Sequence, residues 1–156
     1  MKTLILYATK YGAAAEIARR IAERMDGAPV HDLKQGSPPP LAEYDCIIIG
    51  GSVYAGMIRK EAKAFVLQNA ALLKNKKFGL FLSGLDSSKK DEVFSGNFPP
   101  DILEAAKARA FLGGIFDPKK AGFFERAVMK AVSKQLGNMN TINDKKISQF
   151  VEEMSA

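Results

Sequence analysis

The sequence predicts a doubly wound α/β domain: a five-stranded parallel sheet in the order 2-1-3-4-5, with helices on both faces. Strand-like and helix-like segments alternate along the chain. The strand-like segments are near-continuous apolar runs, as strands covered on both faces require, and not the alternating pattern of a half-solvated sheet. Crossovers between parallel strands are almost always right-handed, and with that wiring the sheet winds in both directions from its first strand.

Thr3 to Ala8 is the first apolar run, and Ala13 to Met25 follows with Ile17, Ile21 and Met25 at helical spacing. Pro29 to Leu33 is a short second strand. Gln35 to Pro40 must be a loop, because its prolines lack an N–H and fix φ. Asp45 to Gly50 is the third strand, Arg59 to Leu73 a second amphipathic helix and Phe78 to Leu82 the fourth strand. A polar loop leads to a helix from about Pro100 to Ala108, and Ala110 to Phe116 is the fifth strand. With no repeat, low-complexity segment or linker, residues 1–156 read as one domain, long enough to bury a real core.

Composition excludes several function classes. Apolar residues make up 47% of the chain and charged residues 26%, the balance of a soluble globular protein. The opening run MKTLILYATKYG is broken by Lys10 too soon for a signal peptide or membrane span, and no later run approaches spanning length. A cytoplasmic protein is expected. Cys46 has no disulfide partner and sits in the strand-like run YDCIIIGG as a small core residue. His31 has no second His or Cys to complete a transition-metal site, and no G-x-S-x-G turn offers it a nucleophile.

The net charge of +6, from 23 Lys and Arg against 17 Asp and Glu, suits an anionic partner. That partner is a nucleotide phosphate, an anionic membrane surface or an acidic redox protein, although a solvated surface accounts for most of the lysines. Nucleic acid is not expected, because no recognition motif and no basic stripe interleaved with aromatics is present.

Open α/β sheets bind ligands outside the carboxyl ends of their strands, where the strand order reverses. The first such loop, Thr9-Lys10-Tyr11-Gly12-Ala13-Ala14, runs from a strand straight into a helix. Unpaired N–H groups at a helix start attract a phosphate, Thr9 adds a hydroxyl, and Gly12 allows a tight turn. An ordinary βα turn with a glycine would look the same. Two rival phosphate motifs fail: the nearest P-loop match, Gly51 to Gly56, continues with Met57, and only Gly12 follows the first strand where a dinucleotide fingerprint needs more glycines. A phospho-receiver needs acidic groups where Thr9-Lys10 and Gly50-Gly51-Ser52 stand.

The second loop, Gly50-Gly51-Ser52-Val53-Tyr54-Ala55-Gly56, lays Tyr54 against a flat ligand such as an isoalloxazine, or covers a helix start with it. The third, Ser83-Gly84-Leu85-Asp86, offers hydroxyls and backbone to the polar edge of a flavin, or caps the next helix. Taken together and in this order, the three loops favour flavin mononucleotide (FMN).

The chain resembles the flavodoxin family over nearly its whole length, and more closely the flavodoxin-like branch that contains menaquinone-dependent protoporphyrinogen dehydrogenase. The resemblance rests on MKTLIL, ATKYGAAAEIA, YDCIIIGGSVYAG and FLGGIFDPKKAGFFERAVMKAVSKQ. It implies a flavodoxin-like fold with FMN phosphate on Thr9 through Ala14, and the isoalloxazine between the Ser52 to Gly56 and Ser83 to Asp86 loops. It also implies a redox partner protein or quinone, and a porphyrinogen substrate. Flavodoxins usually carry Thr or Ser where Ala14 stands, and often Thr at Tyr11. Losing two hydroxyls removes phosphate hydrogen bonds of about 0.5–1.5 kcal/mol each, so FMN affinity is expected to be lower, with Lys10 offsetting part of the loss.

Pro118 to about Met139 resembles the insertion that splits the fifth strand in long-chain members, with Asn140 to Asn143 resuming that strand. Phe124, Val128, Val132 and Leu136 share one helix face, among Lys119, Lys120, Arg126, Lys130 and Lys134. A basic helix at about 121–136 either packs on the sheet or touches the inner face of an anionic membrane. Two other functions remain open. An electron carrier between proteins is one, though family carriers tend to be acidic and this chain has a sequence pI near 9.4. A flavin-free binding module of the same fold is the other.

Overall fold

In the computed structural model, which describes residues 1–116 and 139–156, the apolar runs lie side by side as a parallel sheet. Its strands are β1 (Thr3–Ala8), β2 (Val30–Asp32), β3 (Cys46–Tyr54), β5 (Lys77–Ser83) and β6 (Ala108–Phe111), in the order β2-β1-β3-β5-β6. That is the expected 2-1-3-4-5 order, with a short β4 (Met57–Ile58) added as an antiparallel partner of β3. The helices are α1 (Ala13–Glu23), α2 (Lys60–Gln68), α3 (Ala70–Lys74), α4 (Lys90–Asn97), α5 (Pro100–Ala105) and α6 (Asp144–Ser155).

Each face of the sheet buries its own core. Leu4, Leu6, Ile47, Ile49, Leu80 and Leu82 pack beneath α2 to α5, while Ile5, Ile48 and Phe81 meet α1 and α6 through Ile17, Ile21, Ile147 and Phe150. Successive strand residues therefore serve opposite cores, which is why the runs are apolar without interruption.

Several boundaries differ from the sequence reading, each for a local reason. The expected Arg59–Leu73 helix is two helices that meet at Asn69, which leaves helical geometry (φ −110°, ψ +17°) while its backbone N–H and its Nδ2 both donate to the Phe65 carbonyl. The helix expected at Pro100–Ala108 ends at Ala105, and β6 starts at Ala108. The supposed polar loop before it contains α4, whose buried face is little more than Val93 and Phe94 and so carries no clear apolar period.

The expected fifth strand, Ala110–Phe116, breaks after Phe111. Gly113 takes φ +93°, and a Cβ there would stand 2.0 Å from the Thr141 carbonyl oxygen. Beyond it, β7 (Ile115–Phe116) pairs antiparallel with β8 (Met139–Asn140). Thr141 N–H donates to Gly114 O and Asn143 N–H to Leu112 O, so Asn140 to Asn143 run back beside residues 112–116 and do not resume the parallel strand. The expected basic helix at 121–136, and nearly all of the 118–139 insertion, lie outside the described residues.

Candidate functional site

At the carboxyl ends of β1, β3 and β5 the three loops converge on a cleft of about 980 Å³. Of the residues expected there, all but Thr9, Gly12 and Ala14 line it. Sequence reasoning missed its far wall, made by Val93, Phe111, Gly114, Ile115, Phe116 and Met139, with Lys89 and Glu92 at the polar side. In the sequence Phe111 to Phe116 reads as part of one regular apolar strand, and α4 carries no apolar period that marks it as a helix.

The first loop is braced internally. Thr9 Oγ1 accepts the Gly12 N–H at 2.9 Å, and Lys34 Nζ donates to the Thr9 carbonyl at 2.9 Å. Gly12 caps α1 at φ +103°, a conformation that disfavours a side chain, and no side chain caps the helix end. The first N–H groups of α1, on Ala13, Ala14 and Ala15, have no partner within the helix. The side chains of these three residues are methyl groups, and Ala14's is fully buried in the core behind the sheet. This helix end, with Lys34 and Lys10 close by, is suited to a phosphate.

Ser52 to Gly56 is not a loop. β3 runs on through Tyr54, turns at Ala55 (φ +50°) and Gly56 (φ +79°), and returns as β4, with Val53 opposite Ile58 and Tyr54 opposite Met57. A two-residue turn with positive φ at both centres matches the twist of a hairpin. Gly50 and Gly51 serve packing: a Cβ on Gly50 would meet the Phe81 ring at 2.1 Å, and one on Gly51 would meet Ile58 at 2.8 Å.

The hairpin is held from below by Asn97, a buried residue that sequence reasoning overlooked. Its Nδ2 donates to Gly56 O at 2.9 Å and Val93 O at 2.7 Å, and its Oδ1 accepts the Ile58 N–H at 3.2 Å. The only sequence signal was a lone Asn just before Phe98-Pro99-Pro100. A second tie runs from Lys10 N–H to Ser52 Oγ at 2.9 Å, joining the first loop to the hairpin strand.

In the third loop Asp86 turns to its own chain, accepting the Ser88 N–H at 3.1 Å, so the capping role anticipated for it is observed. Ser83 differs: it is 1% exposed, lines the cleft, and its Oγ has no hydrogen-bond partner. A buried hydroxyl without a partner costs about 1–3 kcal/mol, which a polar ligand atom would relieve. An orphaned hydroxyl, a tyrosine, apolar walls and an uncapped helix start are together a lining that fits a flat aromatic ligand carrying a phosphate.

The remaining candidates lie elsewhere. Cys46 is buried, and burial pushes its thiol pKa up, against any nucleophilic role. His31 Nε2 is 3.1 Å from the Gly36 carbonyl oxygen. Among the described residues no cluster of His, Cys, Asp and Glu is arranged to hold a metal ion, and no helix is long and apolar enough to cross a membrane.

Comparison with known proteins follows the same lines. The family model for the flavodoxin domain matches residues 4–142. The chain is 29% identical over 150 residues to the quinone-dependent protoporphyrinogen IX dehydrogenase of Escherichia coli K12, covering 88% of this chain and 81% of that one. Among solved structures, a short-chain flavodoxin associated with a PDU bacterial microcompartment superposes with a TM-score of 0.61 at 15% identity, over 99% of this chain and 97% of that one. A flavoprotein from Lactobacillus acidophilus, solved in complex with FMN, gives a TM-score of 0.51 at 18% identity, over 72% and 91%.

Proposed function

From the premise that this chain belongs to the flavodoxin domain family, we propose that it is an FMN-dependent oxidoreductase working at the three-loop cleft. One observation carries the reading: the same cleft joins the uncapped start of α1 to apolar walls and the unpartnered Ser83 hydroxyl. Bound FMN supplies the electron-transfer chemistry, and the chain supplies binding, orientation and electrostatics.

In this reading Thr9, Lys10, Tyr11, Gly12, Ala13 and Ala14 form the phosphate loop, largely through backbone N–H groups. Ser52, Val53, Tyr54, Ala55 and Gly56 flank one side of the ring, with Tyr54 against its face. Ser83, Gly84, Leu85 and Asp86 flank the other, and the Ser83 hydroxyl meets a polar edge. Val93, Phe111 and Phe116 keep that wall dry.

The likeness to the E. coli dehydrogenase supports a quinone as electron acceptor and a porphyrinogen as donor. The proposed place of work is the cytoplasm, at the inner face of the membrane where a lipid quinone is reached. The cleft volume of about 980 Å³ lies within the roughly 300–1,000 Å³ usual for small-molecule sites.

The test is titration of apo-protein into FMN, followed by flavin fluorescence quenching, with riboflavin as the phosphate-free control. Tight FMN binding with much weaker riboflavin binding is expected, followed by porphyrinogen oxidation when a quinone is added. Absence of quenching by either flavin at micromolar protein overturns the reading. Flavin binding with turnover only through partner reductases leaves a carrier in place of the enzyme.

A further inference from the structure

A second, smaller recess of about 180 Å³ opens at the edge of the sheet, where β6 is the end strand and pairs with β5 alone among the described strands. Its basic groups come from three elements: Lys90 from the start of α4, Arg109 from β6 and Lys146 from the first turn of α6. Lys90 is half-buried. Arg109 is exposed, but its guanidinium lies 6.0 Å from the centre of the Phe94 ring, at the limit of about 6 Å for attraction to an aromatic face. Among the described residues none of the three side chains makes a hydrogen bond or an ion pair, and neither does Glu153, the carboxylate on the same wall.

Three cations gathered against one carboxylate leave the recess positive, and a concave wall concentrates that field on an incoming anion. Size narrows the choice of anion. The recess is smaller than the roughly 300 Å³ at which small-molecule sites begin, so it fits one acidic group on a short stem and not a ligand of its own. It also backs on the main cleft. Phe111 lines both, and chain neighbours divide between them, with Asp86 and Lys89 on the cleft and Ser87 and Lys90 on the recess.

We propose that this recess is a carboxylate subsite of the cleft, holding an acidic arm of the substrate whose ring lies in the cleft itself. The inference rests on the porphyrinogen reading above for the identity of that ring, since protoporphyrinogen carries its carboxylates on short propionate stems. A guanidinium takes a carboxylate through two parallel N–H bonds, so Arg109 is the principal ligand, with Lys90 and Lys146 adding charge from either side. The subsite selects the free acid over a ring of the same shape that lacks the charge.

The experiment uses the full chain with FMN added and measures binding of protoporphyrin, the fluorescent oxidised ring, against its dimethyl ester. Wild type is compared with Arg109→Gln, Lys146→Gln and, as control, Lys145→Gln, an exposed lysine of the same helix that lines neither cavity. Wild type is expected to bind the free acid at least about tenfold more tightly than the ester, as one charge-assisted hydrogen-bonded pair provides. Arg109→Gln should abolish that preference by weakening the acid alone, with ester affinity, FMN affinity and urea midpoint unchanged. Lys146→Gln should reduce the preference, and Lys145→Gln should keep it. Equal affinity for acid and ester in the wild type, or binding of neither, overturns the inference while FMN quenching leaves the flavin reading in place. An equal loss in Lys145→Gln and Arg109→Gln overturns it as well, by making the preference an effect of net charge. If the wild type fails to quench FMN, the flavin reading falls, and the comparison of acid with ester on the same protein still decides the recess.

Discussion

At one end of the cleft, Gly12 and the start of α1 offer backbone N–H groups and almost no side-chain chemistry; at the other, the β3–β4 hairpin is clamped by a side chain from α4 that lines no part of the cleft. The first end is made by a conformation. Alanines at 13, 14 and 15 are compatible with it, because a helix start presents the same donors whatever small side chains it carries. The second end is made by partners. The hairpin turn holds its shape because Asn97 satisfies Gly56 O and Ile58 N–H together. Substitutions should therefore act through backbone preference at the proposed phosphate end and through lost hydrogen bonds at the proposed ring end.

The largest expected effect is at Asn97. Asn97→Ala removes its bonds to Gly56 O and Val93 O and leaves the Ile58 N–H without its acceptor in a buried setting, where Asn97 itself is 3% exposed. An unpaired buried donor is costly, and the expected loss is about 2–3 kcal/mol of stability, read as a lower urea midpoint. FMN and riboflavin affinities should fall together if the hairpin faces the ring and not the phosphate, as proposed. Unchanged affinity for both would mean that β3–β4 pairing alone shapes the turn.

Gly12 tests the opposite end. A Cβ there would meet nothing within 4 Å, so any effect of Gly12→Ala comes from its φ of +103° and not from crowding. The expected cost is about 1–2 kcal/mol, or a shift of the turn that disorders the helix start. FMN affinity should drop more than riboflavin affinity. If stability falls while the ratio of the two affinities is kept, the phosphate is held elsewhere.

The contrast between the two ends also accounts for what could be read from the sequence. The strands and their order were legible, since runs such as Cys46 to Ile49 must be buried on both faces. The start of α1 at the first loop was legible because a strand, a glycine and a helix suffice to make it, and all are local. The ring end was less so. Gly50 reads as the end of a strand and Gly51 as a loop glycine, yet both lie inside β3 and make room for Phe81 and Ile58, side chains of other segments. Asn97 and the far wall were invisible for the same reason: α4 buries only Val93, Phe94 and Asn97, and Phe111 to Phe116 depart from strand geometry where Gly113 meets Thr141. Local pattern reports what a residue wants from its own segment, and these residues answer to another one.

Ser83 carries the smallest expected effect on the fold and the most direct test of the ring end. Its Oγ is buried and has no partner, so the apo-protein already bears the cost of a dehydrated hydroxyl. Ser83→Ala removes that group without removing any hydrogen bond, and apo stability should hold or rise by up to about 1 kcal/mol. Ordinary polar-to-alanine changes at satisfied positions do the reverse. If the hydroxyl meets the flavin ring, the same variant should bind FMN and riboflavin about three- to tenfold more weakly, the equivalent of one hydrogen bond of roughly 0.5–1.5 kcal/mol. Stability and affinity would then move in opposite directions, a pattern that separates a group kept for a ligand from one kept for the fold. A stability loss with flavin affinity unchanged would show that Ser83 serves the end of β5, and the polar contact to the ring would have to come from the backbone of Gly84 to Asp86.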